Sequence, residues 1–314
     1  METRVPTAWT VGAGPREEID MSTGKVENFE VVVDGGTLTG LRVRGTTGDG
    51  ANRPLVLAVH GGTYTSRYFD IEGHSLLQRA ADQGFDVIAV DRPGYGGSTQ
   101  LPDAPDLIQK NAEYLVPRIP ALLEDFGTSA PVFMIGHSIG GAVVISMAAL
   151  QPAWTLVGIA VSGVGLKTPP ESAEAYAQFP QVYFVDLPAP MKDQVMFGPA
   201  ETRGAGMPEA SHVANTHCPL NELLDITGGW QDRVRDIAAR VRVPVHARMG
   251  EHEALWITTP DLVDDFGRAF SSAGTVSSDI VRDAGHCIDF HRCGGAFQDD
   301  QLAFALKSAS ADVA

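Results

Sequence analysis

The chain has 314 residues and carries 39 acidic against 23 basic side chains, a formal net charge of −16 at pH 7. So large a negative excess argues against bulk electrostatic binding to nucleic acid or to an anionic membrane. No run of about 18 apolar residues suggests a membrane span, the N-terminus lacks the apolar stretch of a secretory signal, and three cysteines are an odd number for a disulfide framework. We therefore expect a soluble, cytoplasmic protein that binds neither nucleic acid nor a membrane; its oligomeric state is left open.

The first part of the sequence predicts an arm, a hairpin and then a parallel sheet. Residues 1–28 have no sustained hydrophobic periodicity and predict a loose N-terminal arm. Two β-rich runs, 29–33 and 38–43, flank a glycine turn at 34–36, which predicts a β-hairpin. Short apolar runs then alternate with stretches long enough for crossover helices, a pattern typical of a doubly wound α/β sheet. The predicted strands are 55–59, 87–90, 132–135 and 156–161, and the predicted helices are 66–83, 106–126 and 139–150.

The alternation stops between residues 167 and 230, which hold eight of the 20 prolines. We interpret 167–230 as a lid or cap insertion into one α/β core formed by 29–166 and 231–314. The aromatic and methionine side chains of this segment favour equally a substrate cleft or a small packed subdomain; they are Tyr176, Phe179, Tyr183, Phe184, Met191, Met196 and Phe197. After it the pattern resumes, with predicted strands at 243–249 and 276–281 and predicted helices at 260–271 and 300–307.

A candidate nucleophile lies between the strand at 132–135 and the helix that follows it. Residues 136–140 read Gly-His-Ser-Ile-Gly, and Gly141 follows. On its own such a motif is weak in a glycine-rich chain, but between strand and helix it gains a mechanism. The serine occupies a strained turn, the glycines remove side chains that would clash, and the helix N-terminus presents N–H groups to a developing oxyanion. We interpret Ser138 as a nucleophile; the alternative is a glycine-rich turn with an idle serine.

The loop after the strand at 55–59 reads His60, Gly61, Gly62 and Thr63. A chain that turns over glycines can bring a backbone N–H close to the substrate of the serine, because no side chain blocks the approach. We therefore predict an oxyanion hole formed by the N–H groups of Gly62 and Ile139. Without the serine motif, an ordinary loop would be the better interpretation.

Together these motifs resemble those of one known superfamily. His-Gly-Gly at 60–62, Asp-Arg-Pro-Gly-Tyr-Gly-Gly-Ser at 91–98 and the serine turn occur in the order and spacing of α/β-hydrolase-fold proteins, and the resemblance extends from about residue 30 to 310. It implies a mostly parallel doubly wound sheet entered by an antiparallel hairpin, with a lid insertion after the sixth strand. It implies no cofactor and no metal. A serine nucleophile argues against the epoxide hydrolases and haloalkane dehalogenases of this fold, which use aspartate.

The resemblance also implies a triad in the chain order serine, acid, histidine. Two histidines follow the last predicted strand, and His286 matches the family's Gly-His position, whereas His291 falls five residues later, on or near a helix. For the acid, the loop after the strand at 243–249 carries glutamates where family members commonly have G-x-x-D. Glu253 matches that spacing, with Glu251 and then Asp261 as alternatives. The non-functional interpretation is that both glutamates are ordinary solvent-exposed charges of a loop.

A second cluster of reactive side chains lies near the C-terminus of the chain. His286, Cys287, Asp289, His291 and Cys293 are all capable metal ligands, but the chain has neither C-x-x-C nor H-E-x-x-H spacing. Neither Cys287 nor Cys293 follows a strand-to-helix turn, so a cysteine nucleophile is poorly placed. We expect no metal site.

The sequence therefore predicts a serine hydrolase that acts on a carboxylic ester, lactone or thioester of a small to medium metabolite through an acyl-enzyme. Two alternatives stay open. The same triad could serve non-hydrolytic acyl transfer or elimination on a metabolite, or the fold could be a non-catalytic ligand receptor.

Overall fold

The computed structural model describes residues 24–46 and 53–311, so most of the predicted arm, 1–28, lies outside the described residues. The strands are β1 (Glu27–Val33), β2 (Gly36–Val43), β3 (Leu55–Val59), β4 (Val87–Val90), β5 (Val132–His137), β6 (Leu156–Ser162), β7 (Phe184–Val185), β8 (Cys218–Pro219), β9 (Val245–Gly250) and β10 (Val276–Val281). The α-helices are α1 (Leu76–Asp82), α2 (Leu107–Leu115), α3 (Ile119–Phe126), α4 (Ile139–Ala149), α5 (Pro170–Ala177), α6 (Ala189–Met196), α7 (Leu220–Thr227), α8 (Gly229–Ala238), α9 (Pro260–Ala269) and α10 (Gly294–Ala311).

Eight of the strands form one sheet in the order β1-β2-β4-β3-β5-β6-β9-β10. The β1–β2 and β2–β4 pairs are antiparallel, and every later pair, from β4–β3 to β9–β10, is parallel. This topology confirms the predicted α/β-hydrolase fold, a doubly wound sheet entered through an antiparallel hairpin.

Helices cover both faces of the sheet. Leu55, Leu57 and Val59 of β3 belong to a core with α2, α3, α4, α8 and α9, whereas Val56 and Ala58 belong to a second core with α1 and α10. Successive side chains of a strand point to opposite faces, so an all-apolar strand such as β3 is buried on both. This double burial is why the parallel strands appear in the sequence as continuous apolar runs.

The register of the parallel strands brings four loops to one edge of the sheet. Val59, the last residue of β3, pairs with Gly136 of β5, and His137 of β5 pairs with Ser162 of β6. At the far side, Gly250 of β9 pairs with Val281 of β10. The loops after β3, β5, β6 and β9 therefore begin at the same edge, where ligands bind in open α/β sheets.

The chain between β6 and β9 forms four helices, α5 to α8, and the small antiparallel sheet of β7 and β8. The predicted insertion 167–230 covers α5 to α7 and ends at the start of α8, which runs on to Ala238. That this segment acts as a lid stays a prediction.

Helix boundaries are where the structure differs most from the predicted elements. The predicted helix 66–83 is a short 3-10 turn, Ser66–Phe69, followed by α1, because Ser75 starts a new helix by accepting a hydrogen bond from the N–H of Gln78. The last helix begins at Gly294, six residues before its predicted start. Within the described ranges, we find no helix both long and apolar enough to cross a bilayer.

Candidate active site

Ser138 lies at a tight turn between β5 and α4. Its backbone has φ +56° and ψ −127°, a conformation that non-glycine residues seldom adopt. The turn is held by its backbone hydrogen bonds, because the N–H of Ser138 donates to the carbonyl of Ser162 at 2.7 Å and its carbonyl accepts from Gly141 at 2.8 Å. Helix α4 begins at the next residue. The side chain is therefore presented at the N-terminus of a buried helix, where partial positive charge favours an anion.

The loop after β3 approaches this serine closely. A Cβ on Gly61 would lie 2.9 Å from Cβ of Ser138, so only glycine permits the approach. Neither the N–H of Gly62 nor that of Ile139 takes part in a backbone hydrogen bond within the described part of the chain. Two amides beside one serine are the arrangement that an oxyanion hole requires.

His286 and Glu253 form a buried pair. Nδ1 of His286 lies 2.8 Å from Oε2 and 3.0 Å from Oε1 of Glu253, and neither side chain is exposed to solvent. Oε1 of Glu253 also accepts from the N–H of Leu255 at 2.8 Å, which holds the carboxylate in place. The pairing leaves Nε2 as the ring atom of His286 that is available to a substrate or to Ser138.

Nε2 of His286 is buried and has no hydrogen-bond partner among the described residues, so it forms no hydrogen bond with Ser138. The ring nevertheless lies beside the serine turn, since its centroid is 4.8 Å from that of His137, the residue before Ser138. Gly163, with φ +61°, makes room for it, because a Cβ there would lie 2.9 Å from Cε1 of His286. In free enzymes catalytic hydrogen bonds are often long and shorten only with substrate.

The other candidate acids point elsewhere. Glu251 pairs with Arg282 at 2.6 Å and accepts from the N–H of Asp283 at 3.0 Å. That backbone hydrogen bond, followed by the Arg282 contact, lowers the pKa of Glu251. Asp261 is exposed in the first turn of α9. Of the three acids that the sequence leaves open, Glu253 is the one that contacts His286.

The histidine and cysteine cluster near the C-terminus is not arranged as a metal site in the described ranges. Nε2 of His291 accepts from the N–H groups of Gly198 and Gly285, each at 3.0 Å. Cys287 is fully buried, and desolvation raises the pKa of its thiol to about 12, so it remains protonated. Outside that cluster, potential ligand atoms of Glu251, His252 and Asp283 lie within 4.8 Å of one another near the surface, an arrangement that is common in proteins without a bound metal.

A cavity opens beside Ser138. It encloses about 550 Å³ of space between atoms, including the part open to solvent, and Gly62, Thr63, Ser138 and Ile139 line one end. The side chains around it are mostly apolar and include no charged group among the described residues: Tyr176, Leu187, Val195, Met196, Leu223, Ile226, Leu255 and Trp256, with Thr168, Ser172 and Thr227. Such a surface suits a neutral, largely apolar acyl group.

Of the aromatic and methionine side chains singled out between 167 and 230, Tyr176 and Met196 line the cavity. Phe197 is buried in the core that includes α1 and α10, and Met191 is 51% exposed. The composition of the segment did not distinguish the side chains that line the cavity from those that are packed or exposed elsewhere.

Sequence reasoning missed the group that holds the loop after β3. Arg92 follows β4, and its Nε and Nη2 donate to the carbonyls of His60 and Gly61 at 2.8 and 3.2 Å. Its charge is paired with Glu222 of α7 at 2.6 Å, and both side chains are fully buried. Arg92 belongs to a recognised motif, but no local pattern marked Glu222.

Comparisons with known proteins agree with the observed fold. A family model described as "Alpha/beta hydrolase family" matches residues 56–295. A stretch of 117 residues is 26% identical to protein phosphatase methylesterase 1 of Mus musculus; it spans 37% of this chain and only 28% of that protein.

Solved structures with a similar fold include a lactonase, a lipase and a thioesterase domain. An N-acyl homoserine lactonase bound to N-hexanoyl homoserine has a TM-score of 0.59 at 18% identity, covering 91% of this chain and 98% of that chain. A monoacylglycerol lipase of Paleococcus ferrophilus has a TM-score of 0.58 at 18% identity, covering 90% and 99%. A thioesterase domain from the curacin biosynthetic pathway has a TM-score of 0.55 at 14% identity, covering 88% and 99%. At these identities the likeness concerns the fold.

Proposed function

The chain belongs to the alpha/beta hydrolase family of enzymes, and we propose that it is a serine hydrolase that cleaves a carboxylic ester, lactone or thioester of a small to medium metabolite. One observation carries the proposal. The buried pair of His286 and Glu253 lies at the edge of the sheet where Ser138 occupies its strained turn, with Nε2 of the histidine unpartnered among the described residues. Nucleophile, base and orienting acid then occur in the family's chain order.

In the proposed reaction, Oγ of Ser138 attacks the substrate carbonyl carbon while Nε2 of His286 takes the hydroxyl proton. Glu253 keeps the other proton on Nδ1 and stabilises the imidazolium that forms. The carbonyl oxygen becomes an oxyanion and accepts from the N–H groups of Gly62 and Ile139. Collapse of the tetrahedral intermediate breaks the bond to the leaving group, which receives the proton from His286. A water molecule then repeats the sequence on the acyl-enzyme and releases the acid.

The substrate class follows from the cavity. Its uncharged, apolar wall favours a neutral acyl group over a charged one, because a buried charge without a partner would be costly. The known activities of the structural relatives, on a lactone, a monoacylglycerol and a thioester, support this class without choosing among its members. We further propose a cytoplasmic location, which the three free cysteines support.

Covalent labelling tests the nucleophile. A fluorophosphonate probe should modify wild type at Ser138, and the Ser138→Ala variant should neither label nor hydrolyse esters, with a loss of several powers of ten in kcat. Ser146→Ala is the control, because Ser146 is a buried serine of α4, the helix that begins directly after Ser138, and this variant should label as wild type does. Circular dichroism and Tm establish that each variant is folded.

A panel of esters, lactones and thioesters with graded acyl length then identifies the substrate by release of acid. Hydrolysis near the wild-type rate by Ser138→Ala would refute the acyl-enzyme. A folded wild type that binds panel members but never labels would instead support the ligand receptor. Product transferred to an added alcohol or amine in preference to water would point to acyl transfer.

A further inference from the structure

Thr63 is a buried polar residue at the reacting end of the cavity. It follows Gly62 in the loop after β3, lines the cavity and is 2% exposed. Its hydroxyl has no hydrogen-bond partner among the described residues. An unsatisfied buried hydroxyl is destabilising, and such groups are rare enough in native proteins to require an explanation.

The backbone of Thr63 is also strained. Its φ of +61° is unusual for any residue but glycine, and more so for a β-branched one. A conformation of this kind persists only where the surrounding structure imposes it, and it tends to occur at functional sites. Two unfavourable features therefore coincide in one residue beside the predicted oxyanion hole.

Contacts from the segment between β6 and β9 hold Thr63 in this conformation. Its carbonyl accepts from Nζ of Lys192 at 2.7 Å and from the N–H of Thr216 at 3.0 Å. Tyr64, the next residue, forms an antiparallel bridge with Asn215. The loop is thus attached at two neighbouring points to a different part of the chain.

Lys192 is itself an unusual anchor, because it is 1% exposed and its ammonium donates to uncharged oxygens, the carbonyl of Thr63 and the amide of Asn215. Its ammonium donates to Oδ1 of Asn215 at 2.5 Å and lies 3.1 Å from the centroid of the Tyr64 ring. Desolvation lowers the pKa of Lys192 to about 7. Lys192 thus connects the loop after β3, through the Thr63 carbonyl and the Tyr64 ring, to Asn215.

We propose that the hydroxyl of Thr63 is a third oxyanion donor, which hydrogen-bonds to the substrate carbonyl oxygen alongside the N–H groups of Gly62 and Ile139. This inference rests on the proposed serine hydrolase. Thr63 lines the cavity and its hydroxyl has no acceptor among the described residues, so a carbonyl oxygen bound beside Gly62 would supply one. That hydrogen bond would strengthen as negative charge develops on the oxygen. The cost of leaving it unpaired in the free protein is then recovered in the transition state.

Two matched substitutions test the hydroxyl. Thr63→Val keeps the β-branched shape and removes the donor, whereas Thr63→Ser keeps the donor and removes only the methyl group. We expect Thr63→Val to lower kcat by about 10–100-fold with KM within about threefold of wild type, since the donor acts mainly in the transition state. The rate of fluorophosphonate labelling should fall in parallel, because the phosphonyl oxygen uses the same donors. Thr63→Ser should stay within about threefold in both assays.

A stability measurement separates this role from a structural one. Removal of an unsatisfied hydroxyl should leave Tm unchanged or raise it, so a stable but slow Thr63→Val is the expected result. Thr63→Ala serves in its place if the valine variant does not fold, with the same expected loss of kcat. Wild-type rates in the folded valine or alanine variant, or equal losses in the valine and serine variants, would overturn the role of Thr63 and leave the serine hydrolase intact. A wild type that neither labels nor hydrolyses would overturn the proposed function and the donor role with it.

Discussion

Replacing Glu222 with glutamine tests how firmly the loop after β3 is held. In the wild type the guanidinium of Arg92 binds Glu222 through two hydrogen bonds of 2.6 and 2.9 Å, and the hydroxyl of Tyr95 donates to the same carboxylate at 2.7 Å. Burial alone would lower the pKa of Arg92, but the attraction of Glu222 offsets it and the pKa is raised above its usual value. The guanidinium of Arg92 is therefore charged at neutral pH.

The size of the expected loss of stability follows from the burial of the Arg92–Glu222 pair. Neither side chain is exposed to solvent, so Glu222→Gln leaves a desolvated guanidinium charge with only neutral acceptors. Breaking a buried pair in this way costs about 3–5 kcal/mol of the free energy of unfolding. Activity should fall as well, because the same guanidinium holds the carbonyls of His60 and Gly61, which immediately precede Gly62 of the predicted oxyanion hole.

Urea unfolding at pH 7, followed by tryptophan fluorescence, measures the loss, and kcat on the best ester substrate measures the effect on the loop. The control is Glu113→Gln, which removes an exposed partner of Lys110 and should leave the unfolding midpoint unchanged within error. If Glu222→Gln were as stable as wild type and equally active, Arg92 would not depend on its partner, and the account of the loop would be wrong.

Two further predictions concern the acid and the core. Glu253→Gln should lower kcat by roughly 10²–10⁴-fold, because His286 loses both the control of its tautomer and the stabilisation of its imidazolium form. Glu251→Gln should lower kcat by less than about tenfold. Steady-state kinetics of the two variants distinguish the acids, and the reverse ranking would move the triad to Glu251. His246 of β9 is buried, and desolvation lowers its pKa to about 3, so the unfolded state binds a proton below about pH 6.5 that the folded state does not. The contribution of His246 should therefore lower the free energy of unfolding by about 2 kcal/mol between pH 7.5 and pH 5. The His246→Leu variant should show a decrease that is smaller by the same amount. An unchanged pH dependence in this variant would contradict the low pKa of His246.

Local patterns determined the parts of this protein that depend on contiguous residues. The strand, glycine turn and helix around Ser138 lie within a few residues of one another, and each leaves a signature in composition and periodicity. The same holds for the glycine loop at 60–62 and for the all-apolar parallel strands. Helix ends were less accurate, because a cap such as Ser75 or an early start at Gly294 depends on a single hydrogen bond or on packing against the sheet.

Only the tertiary structure decided which distant side chains meet. The sequence favoured Glu253 by its spacing but left Glu251 open, and the turn after β9 directs Glu251 to Arg282 at the surface and Glu253 to His286. The contacts from Arg92 to Glu222 and from Lys192 to Thr63 each join residues about 130 positions apart. Hydrophobic periodicity reports which face of an element is buried, but not which element will cover it, so pairings of this kind arise only when the chain is folded.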